Sequence, residues 1–511
     1  MASGMLREAG VFVGGGGPGH DVPQELAFRF GNRHGLVAGA TGTGKTVTLQ
    51  TLAESFSAAG VPVFMADVKG DLAGLSQSGS EAAKYHGAFA SRAETIGFTL
   101  DYQAFPVTFW DVFGTAGHPV RTTVTEMGPL LLSRLMGLTA VQEGVMTIAF
   151  RIADEEGLPL LDLADLRAML AFLAENRAEI SARYGNVTTA SVGAIQRALL
   201  VLEHEGGDRL FGEPALDLAD LMAPAPDGRG RINILAADRL MASPKLYATF
   251  LLWLLSELFE DLPEVGNPER PKLVFFFDEA HLLFDDAPKA LIDKVEQVAR
   301  LIRSKGVGVY FVTQNPTDVP DTVLGQLGNR VQHALRVFTA RDKRDLRRAA
   351  ETYRPNPRFD TEEAIMSVGT GEAVTSFLEA KGSPGMVERT LIRPPLSRMG
   401  TITDAERAAA LAASGLGPKY DTGIDRESAH EILARRAEAA AQAAGEGAPE
   451  DREFTAARRY SPGGSSSGGK GRSSRSDSVG EAFAKSFARQ LGTQAGRTLV
   501  RGVLGGLFRS R

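Results

Sequence analysis

The sequence contains no cysteine among its 511 residues. This absence excludes disulfides, thiolate zinc sites, iron–sulfur clusters and a cysteine nucleophile, and it fits a reducing cytosol. Long apolar runs are also missing: the longest, 247–259, is interrupted by Ser256 and Glu257, whereas a bilayer span needs about 20 apolar residues. The first ten residues lack the basic-then-apolar pattern of a secretory signal. We therefore predict a cytoplasmic protein.

The chain also lacks a strong charge of either sign. Its formal net charge is -6 and its pI is about 5.9, so the total charge does not indicate a nucleic-acid binder, and any such contact must come from a local patch. The composition of 43% hydrophobic and 23% charged residues is typical of a globular protein. The length allows one large α/β core with appendages.

Apolar runs alternate with helical patterns along much of the chain, which predicts an α/β fold with a parallel sheet. The stretch 123–228 departs from this pattern and is predicted to be a helical insertion, because 139–154, 163–184 and 188–205 show helical apolar spacing. We expect glycines 14–17 to form a flexible turn, a strand at 330–338, and an edge strand at 373–378. The predicted parts are an N-terminal segment 1–25, core 26–122, helical insertion 123–228, core 229–396, helical segment 397–444, disordered Gly/Ser linker 445–478 and basic amphipathic tail 479–511.

Residues 39–46 match the phosphate-loop pattern G-x-x-x-x-G-K-[ST]. Glycines allow backbone N–H groups to turn toward phosphate oxygens, and the N-terminus of the following helix favours the same negative charge. The lysine reaches the β- and γ-phosphates and the threonine hydroxyl binds Mg²⁺. A plain glycine turn before a helix is the alternative, which the preceding apolar strand disfavours. The predicted ATP-binding residues are Gly39, Ala40, Thr41, Gly42, Thr43, Gly44, Lys45 and Thr46.

Two carboxylates follow the apolar run 273–277. Ligands of parallel α/β sheets bind at the carboxyl ends of the strands, so Asp278 is a candidate Mg²⁺ ligand and Glu279 a candidate general base for the attacking water. The alternative is a pair of acids that only favours a helix N-terminus.

Gln314 ends the next apolar run, 307–313. At the same sheet edge it can lie between the phosphate-loop strand and the strand before Asp278, where it would sense the γ-phosphate and orient water. The alternative is an exposed loop glutamine.

The motifs GATGTGKT, FMADVKGDLAGL, FFFDEAH, ARLIRSKGVGVYFVTQNPTDVP and GNRVQHALRVF occur in this order. Together they resemble the HerA/FtsK superfamily of P-loop ATPase motors, in particular the HerA-helicase-like proteins, over most of 31–396. The resemblance implies a RecA-like core with an additional strand. It also implies a hexameric ring that hydrolyses ATP with Mg²⁺ and acts on DNA.

The resemblance also assigns residues by motif. It makes Lys45 and Thr46 the Walker A pair, Asp278 and Glu279 the Walker B pair, and Gln314 the sensor. It places Asp67 near the phosphates at the tip of the second strand. Arg330 and Arg336 lie where the superfamily has basic residues that reach a γ-phosphate, in the same subunit or from a neighbour. Arginine suits this role because its charge is permanent, but both could be surface charges.

From the sequence we expect no N-terminal β-barrel like that of HerA proper, and no membrane spans or winged helix like those of FtsK-type motors. Three functions therefore stay open: a motor that translocates DNA, a motor or coupling protein that acts on protein, and an interaction module switched by nucleotide. The tail 479–511 carries six basic residues and one acidic residue. It could dock on a partner, a neighbouring subunit or an anionic membrane, or be a frayed end.

Overall fold

A computed structural model of the chain describes residues 4–7, 10–284 and 289–446. The predicted linker, except residues 445 and 446, and the predicted tail lie outside this range. The strands are β1 (Leu6–Arg7), β2 (Gly10–Gly16), β3 (Val22–Ala27), β4 (Gly35–Ala38), β5 (Val63–Asp67), β6 (Val107–Asp111), β7 (His118–Pro119), β8 (Ile232–Ala236), β9 (Leu273–Phe277), β10 (Val307–Thr313), β11 (Asn329–Gln332), β12 (Glu372–Ser376) and β13 (Glu388–Ile392).

The α-helices follow in chain order. They are α1 (Lys45–Ala58), α2 (His86–Thr95), α3 (Val124–Leu135), α4 (Ala140–Glu156), α5 (Leu163–Glu175), α6 (Arg177–Tyr184), α7 (Thr189–Leu202), α8 (Asp208–Leu210), α9 (Leu218–Met222), α10 (Pro244–Asp261), α11 (Lys289–Leu301), α12 (Asp321–Leu324), α13 (Ala340–Glu351), α14 (Thr361–Ser367), α15 (Asp404–Ser414), α16 (Gly417–Tyr420) and α17 (Ala429–Glu446).

The chain divides into two compact units. The first contains 1–123 and 202–424, and the second contains 124–201 and the chain from 425 onward. The second unit is helical where it is described, and α17 packs on α5. There the buried Asp165 carboxylate accepts hydrogen bonds from the Ser428 hydroxyl at 2.6 Å and the His430 N–H at 2.7 Å. These bonds connect the two chain segments of this unit.

The first unit is built on one sheet with the order β1-β2-β13-β12-β11-β4-β10-β9-β5-β8-β6-β7, and β3 pairs with β2. The strands from β11 to β7 are parallel, and those from β12 to β1 are antiparallel. Strand β10 lies between β4, which precedes the glycine loop, and β9, which precedes Asp278. This confirms the predicted additional-strand α/β fold.

The structure corrects one turn prediction and the position or length of two predicted strands. Glycines 14–16 are part of β2, which is buried and pairs with β3 and β13, so no flexible turn lies there. Strand β12 pairs with β11 on one side and β13 on the other, so it is not at the edge. Strand β11 ends at Gln332, and the chain that follows leaves the sheet toward α13.

A fully buried ion pair joins α1 to the segment that follows β13. The Arg393 Nη1 lies 2.9 Å from the Glu54 Oε2, and both side chains have no exposed surface. The other Glu54 oxygen accepts from the Leu396 and Ser397 N–H groups, each at 2.9 Å. Leaving either charge buried alone costs about 3–5 kcal/mol. The pair therefore fixes the helix that begins at Lys45.

Among the described residues, no helix combines the length and the apolar character that a bilayer crossing requires.

Candidate nucleotide-binding site

The loop between β4 and α1 has a backbone that requires its glycines. Gly39, Gly42 and Gly44 have φ values of 154°, 79° and 117°. Residues other than glycine rarely adopt this backbone conformation. A Cβ atom on Gly39 would also lie 2.5 Å from the His333 Cβ. The loop therefore has the curved, side-chain-free backbone that can surround phosphate oxygens.

Lys45 is the first residue of α1, and its ammonium group lies within the loop. Its Nζ donates to the Gly39 carbonyl oxygen at 2.6 Å and to the Ala40 carbonyl oxygen at 3.3 Å. Burial lowers the pKa of Lys45, and the nearby carboxylates of Glu279 and Asp278 oppose this shift. The structure thus brings the predicted phosphate-binding lysine and the predicted acidic pair together.

The acidic pair follows β9 directly. Burial, and then the charge of Glu279, raise the pKa of Asp278 to about 7, although Lys69 and Lys45 favour its ionised form. A buried carboxylate with a raised pKa is a group that a bound cation would stabilise. Tyr247 holds this turn, because its hydroxyl donates to the Asp278 carbonyl oxygen at 2.8 Å.

Glu279 has a strained backbone, with φ 48° in the left-handed region. Such strain costs about 1–3 kcal/mol and concentrates at functional sites. Its carboxylate is 14% exposed and lies 3.5 Å from the His281 Nδ1. The side chain is therefore held close to the phosphate loop while part of it stays accessible to water, as a general base requires.

Thr46 and Asp278 are the residues that could hold Mg²⁺. No group of three histidine or acidic side chains in the described part of the chain has the arrangement of a metal site. Mg²⁺ in nucleotide sites needs only one or two protein ligands, since phosphate oxygens and water supply the others. A threonine hydroxyl and one buried carboxylate fit that requirement.

Two acidic residues, Asp67 and Asp71, lie at the end of β5 and in the loop that follows it. Asp67 ends β5, and its two carboxylate oxygens accept from the Asp71 and Leu72 N–H groups, each at 3.1 Å. Burial, and then the charge of Asp71, raise the pKa of Asp67 to about 6.

Asp71 reaches the phosphate loop itself, because the Thr46 hydroxyl donates to its Oδ2 at 3.3 Å. The sequence prediction named Asp67 alone. The spacing of two acids four residues apart was the signal that could have identified Asp71.

Gln314 is exposed and follows β10, between the strands that lead to Lys45 and to Asp278. The preceding residue, Thr313, contacts the phosphate loop, since its carbonyl oxygen accepts from the Gly39 N–H at 3.3 Å. This position is compatible with a residue that orients water, and the role of Gln314 stays a prediction.

His333 lies against Gly39 of the phosphate loop. It was not predicted from the sequence. Its Nε2 lies 2.8 Å from the Thr48 hydroxyl oxygen on α1, and its Nδ1 lies 2.9 Å from the Glu372 carbonyl oxygen. Burial lowers the pKa of His333 to about 4, so the ring is neutral near pH 7. The histidine connects α1, the end of β11 and the start of β12.

The two predicted arginines have different surroundings. Arg330, on β11, donates to the Leu324 and Leu327 carbonyl oxygens, each at 3.1 Å, and to the Thr352 hydroxyl at 2.5 Å. Its guanidinium is thus bound to acceptors of its own chain. Arg336 is exposed beyond the end of β11, two residues before Phe338, which is 84% exposed.

Comparison with known proteins identifies a family and a shared fold. The profile of the family described as "Helicase HerA-like C-terminal" matches residues 17–511. A probable helicase of Methanocaldococcus jannaschii, MJECL08, is 26% identical over 172 residues, which are 31% of this chain and about a third (32%) of that protein.

Two solved structures of the plasmid coupling protein TrwB share the fold. The unbound form lacking 70 N-terminal residues has a TM-score of 0.51 and 15% identity, covering 78% of this chain and 92% of that one. The complex with the non-hydrolysable GTP analogue GDPNP has a TM-score of 0.50 and 15% identity, covering 78% of this chain and 97% of that one. At this identity the likeness is one of fold.

Proposed function

We propose that this chain, which belongs to the HerA-like helicase C-terminal family of ATPase motors, hydrolyses ATP with Mg²⁺ to translocate DNA in the cytoplasm. The observation that carries the ATPase proposal is the position of Lys45 beside Asp278 and Glu279 at one sheet edge. The GDPNP complex of TrwB shows that this fold accepts a nucleoside triphosphate analogue. The family description and the helicase name of the Methanocaldococcus protein support DNA as the substrate.

Each residue has one part in the reaction. The loop N–H groups and Lys45 bind the phosphates, and Thr46 and Asp278 would hold Mg²⁺, which neutralises phosphate charge when bound. Glu279 accepts a proton from the water that attacks the γ-phosphorus, as the bond from that phosphorus to the departing ADP oxygen breaks. Gln314 orients this water. Arg336 supplies a positive charge to the γ-phosphate of a neighbouring subunit.

The exposed segment that follows β11 supports a homo-oligomer, which the family pattern suggests is a hexamer. A phenylalanine that is 84% exposed is unusual on a monomer surface, and aromatic residues and arginines are enriched at the centres of interfaces. Phe338 lies two residues after Arg336 in this segment, and both side chains are exposed.

The DNA proposal is tested by the ATPase rate with and without single- and double-stranded DNA. We expect DNA to stimulate turnover at low salt and the stimulation to fall steeply as salt rises, because phosphate contacts release counterions. Poly-glutamate of equal charge is the control for a polyanion effect. Turnover that DNA does not change would contradict translocation of DNA and favour a motor acting on protein or a nucleotide switch.

Glu279→Gln should retain Mg-ATP binding and hydrolyse ATP about 10²–10⁴ times more slowly, because an amide cannot accept the proton of the attacking water. Turnover in a single-cycle assay and binding of a fluorescent nucleotide measure the two effects separately. Glu94→Gln, at an exposed position on α2, is the matched control and should behave like the wild type. If the Glu279 variant loses binding while bound nucleotide still turns over normally, the residue is structural.

A further inference from the structure

The Thr46 hydroxyl has a carboxylate partner that its role as a metal ligand does not explain. A hydroxyl has one proton and two lone pairs, so it can bind a cation through a lone pair only while its proton points elsewhere. In the structure the Thr46 hydroxyl donates to the Asp71 Oδ2 at 3.3 Å. The proton is therefore directed to the loop after β5 rather than to Asp278.

The backbone that carries Asp71 is held in place by its own loop. The Asp71 and Leu72 N–H groups donate to the two oxygens of Asp67, each at 3.1 Å. Asp67 is only 4% exposed and ends β5, which pairs in parallel with β9. Two residues after Leu72, the Gly74 N–H donates to the Gly400 carbonyl oxygen at 2.9 Å. The loop is thus fixed to the same sheet edge as the acidic pair.

We propose that Asp71 is a positioning residue of the Mg²⁺ site, which aims a lone pair of the Thr46 hydroxyl at the cation and adds a negative charge beside it. The proposal rests on the proposed ATP and Mg²⁺ chemistry and extends it to a residue outside both nucleotide motifs. Asp67 supports the backbone at Asp71 by accepting hydrogen bonds from the Asp71 and Leu72 N–H groups. Carboxylates that orient a metal ligand typically contribute about 10–100-fold to metal affinity.

The test measures cation affinity directly. Mn²⁺ binding to the complex of full-length protein and ADP is followed by electron paramagnetic resonance for the wild type, Asp71→Ala and Asp71→Asn. We expect Asp71→Ala to weaken Mn²⁺ binding about 10–100-fold. Asp71→Asn keeps an acceptor for the hydroxyl but no charge, so its loss should be smaller. It also preserves the volume of the side chain if the alanine variant folds poorly.

A second readout separates positioning from a loss of structure. The Mg²⁺ concentration for half-maximal ATP hydrolysis should rise in both variants, and saturating Mg²⁺ should restore much of the kcat. Asp101→Ala, at an exposed position outside the site, is the control and should match the wild type. Wild-type Mn²⁺ affinity in both Asp71 variants would overturn the inference and leave the proposed ATPase intact. A wild-type protein that binds no Mn²⁺–ADP would overturn both.

Discussion

Replacing Lys45 by alanine should reduce ATP binding and ATP turnover to background while the protein stays folded. In the structure the ammonium group lies between the Gly39 and Ala40 carbonyl oxygens and close to both acids after β9. No other side chain of the glycine loop carries a positive charge. Without it, the phosphates would face the carboxylates of Asp278 and Glu279 with less compensation, so binding should fail before chemistry begins.

Titration calorimetry with a slowly hydrolysed ATP analogue and a phosphate-release assay measure the two losses. Lys84→Ala, an exposed lysine ahead of α2, is the matched control. The thermal unfolding temperature should change little, because the lysine bonds only to carbonyl groups of its own loop. Undiminished turnover of the purified Lys45 variant would contradict the assignment of the site.

The core strands and their ligand edge could be predicted because their signals are local. Strands β9 and β10 are continuous apolar runs, as expected of parallel strands covered on both faces. The glycine pattern and the acidic pair each follow such a run. The position of β10 between β4 and β9 was proposed from the shared ligand edge of the sheet, and the family resemblance agreed with it.

The antiparallel half of the sheet was predicted only in part, because β2 pairs with β13 from the other end of the core sequence. Strand β2 is rich in glycine, which normally disfavours strands. A Cβ on Gly14 would lie 2.2 Å from the Leu391 carbonyl oxygen, and one on Gly16 would lie 2.4 Å from the Glu388 Cγ. Only the close approach of β13, which is distant in sequence, explains these glycines, so they appeared to be a flexible turn.

Within the site, motif reasoning pointed to the proposed phosphate-binding and acidic residues but not to the residues that support them. Lys45, Asp278 and Glu279 are brought together as their motifs suggest. His333 and Asp71 act through hydrogen bonds to Thr48 and Thr46 that only the three-dimensional arrangement reveals. Arg330 and Arg336 could not be distinguished in the sequence, because nothing there shows that Arg330 is bound to Leu324, Leu327 and Thr352.

That difference makes Arg336 the better candidate for a charge donated between subunits. Arg336→Ala should lower kcat about 10³–10⁵-fold, the usual contribution of an arginine that reaches a transferring phosphoryl group from a neighbour. ATP binding should change little, because Lys45 and the loop stay intact. Arg341→Ala is the matched control, since this arginine lies in the first turn of the nearby helix α13 and its side chain is 83% exposed.

Mixing the Arg336→Ala and Glu279→Gln proteins distinguishes a charge given to a neighbour from one used within the same subunit. Each variant lacks one half of the site, so a mixed interface can combine an intact Glu279 with an intact Arg336. Because each repaired interface regains about 10³–10⁵ in rate, even a minority should restore measurable turnover. No recovery would mean that Arg336 acts within its own subunit or only as a surface charge. A protein that light scattering shows to be a monomer and that still has full ATPase activity would contradict the oligomeric motor itself. Such a result would favour a nucleotide switch.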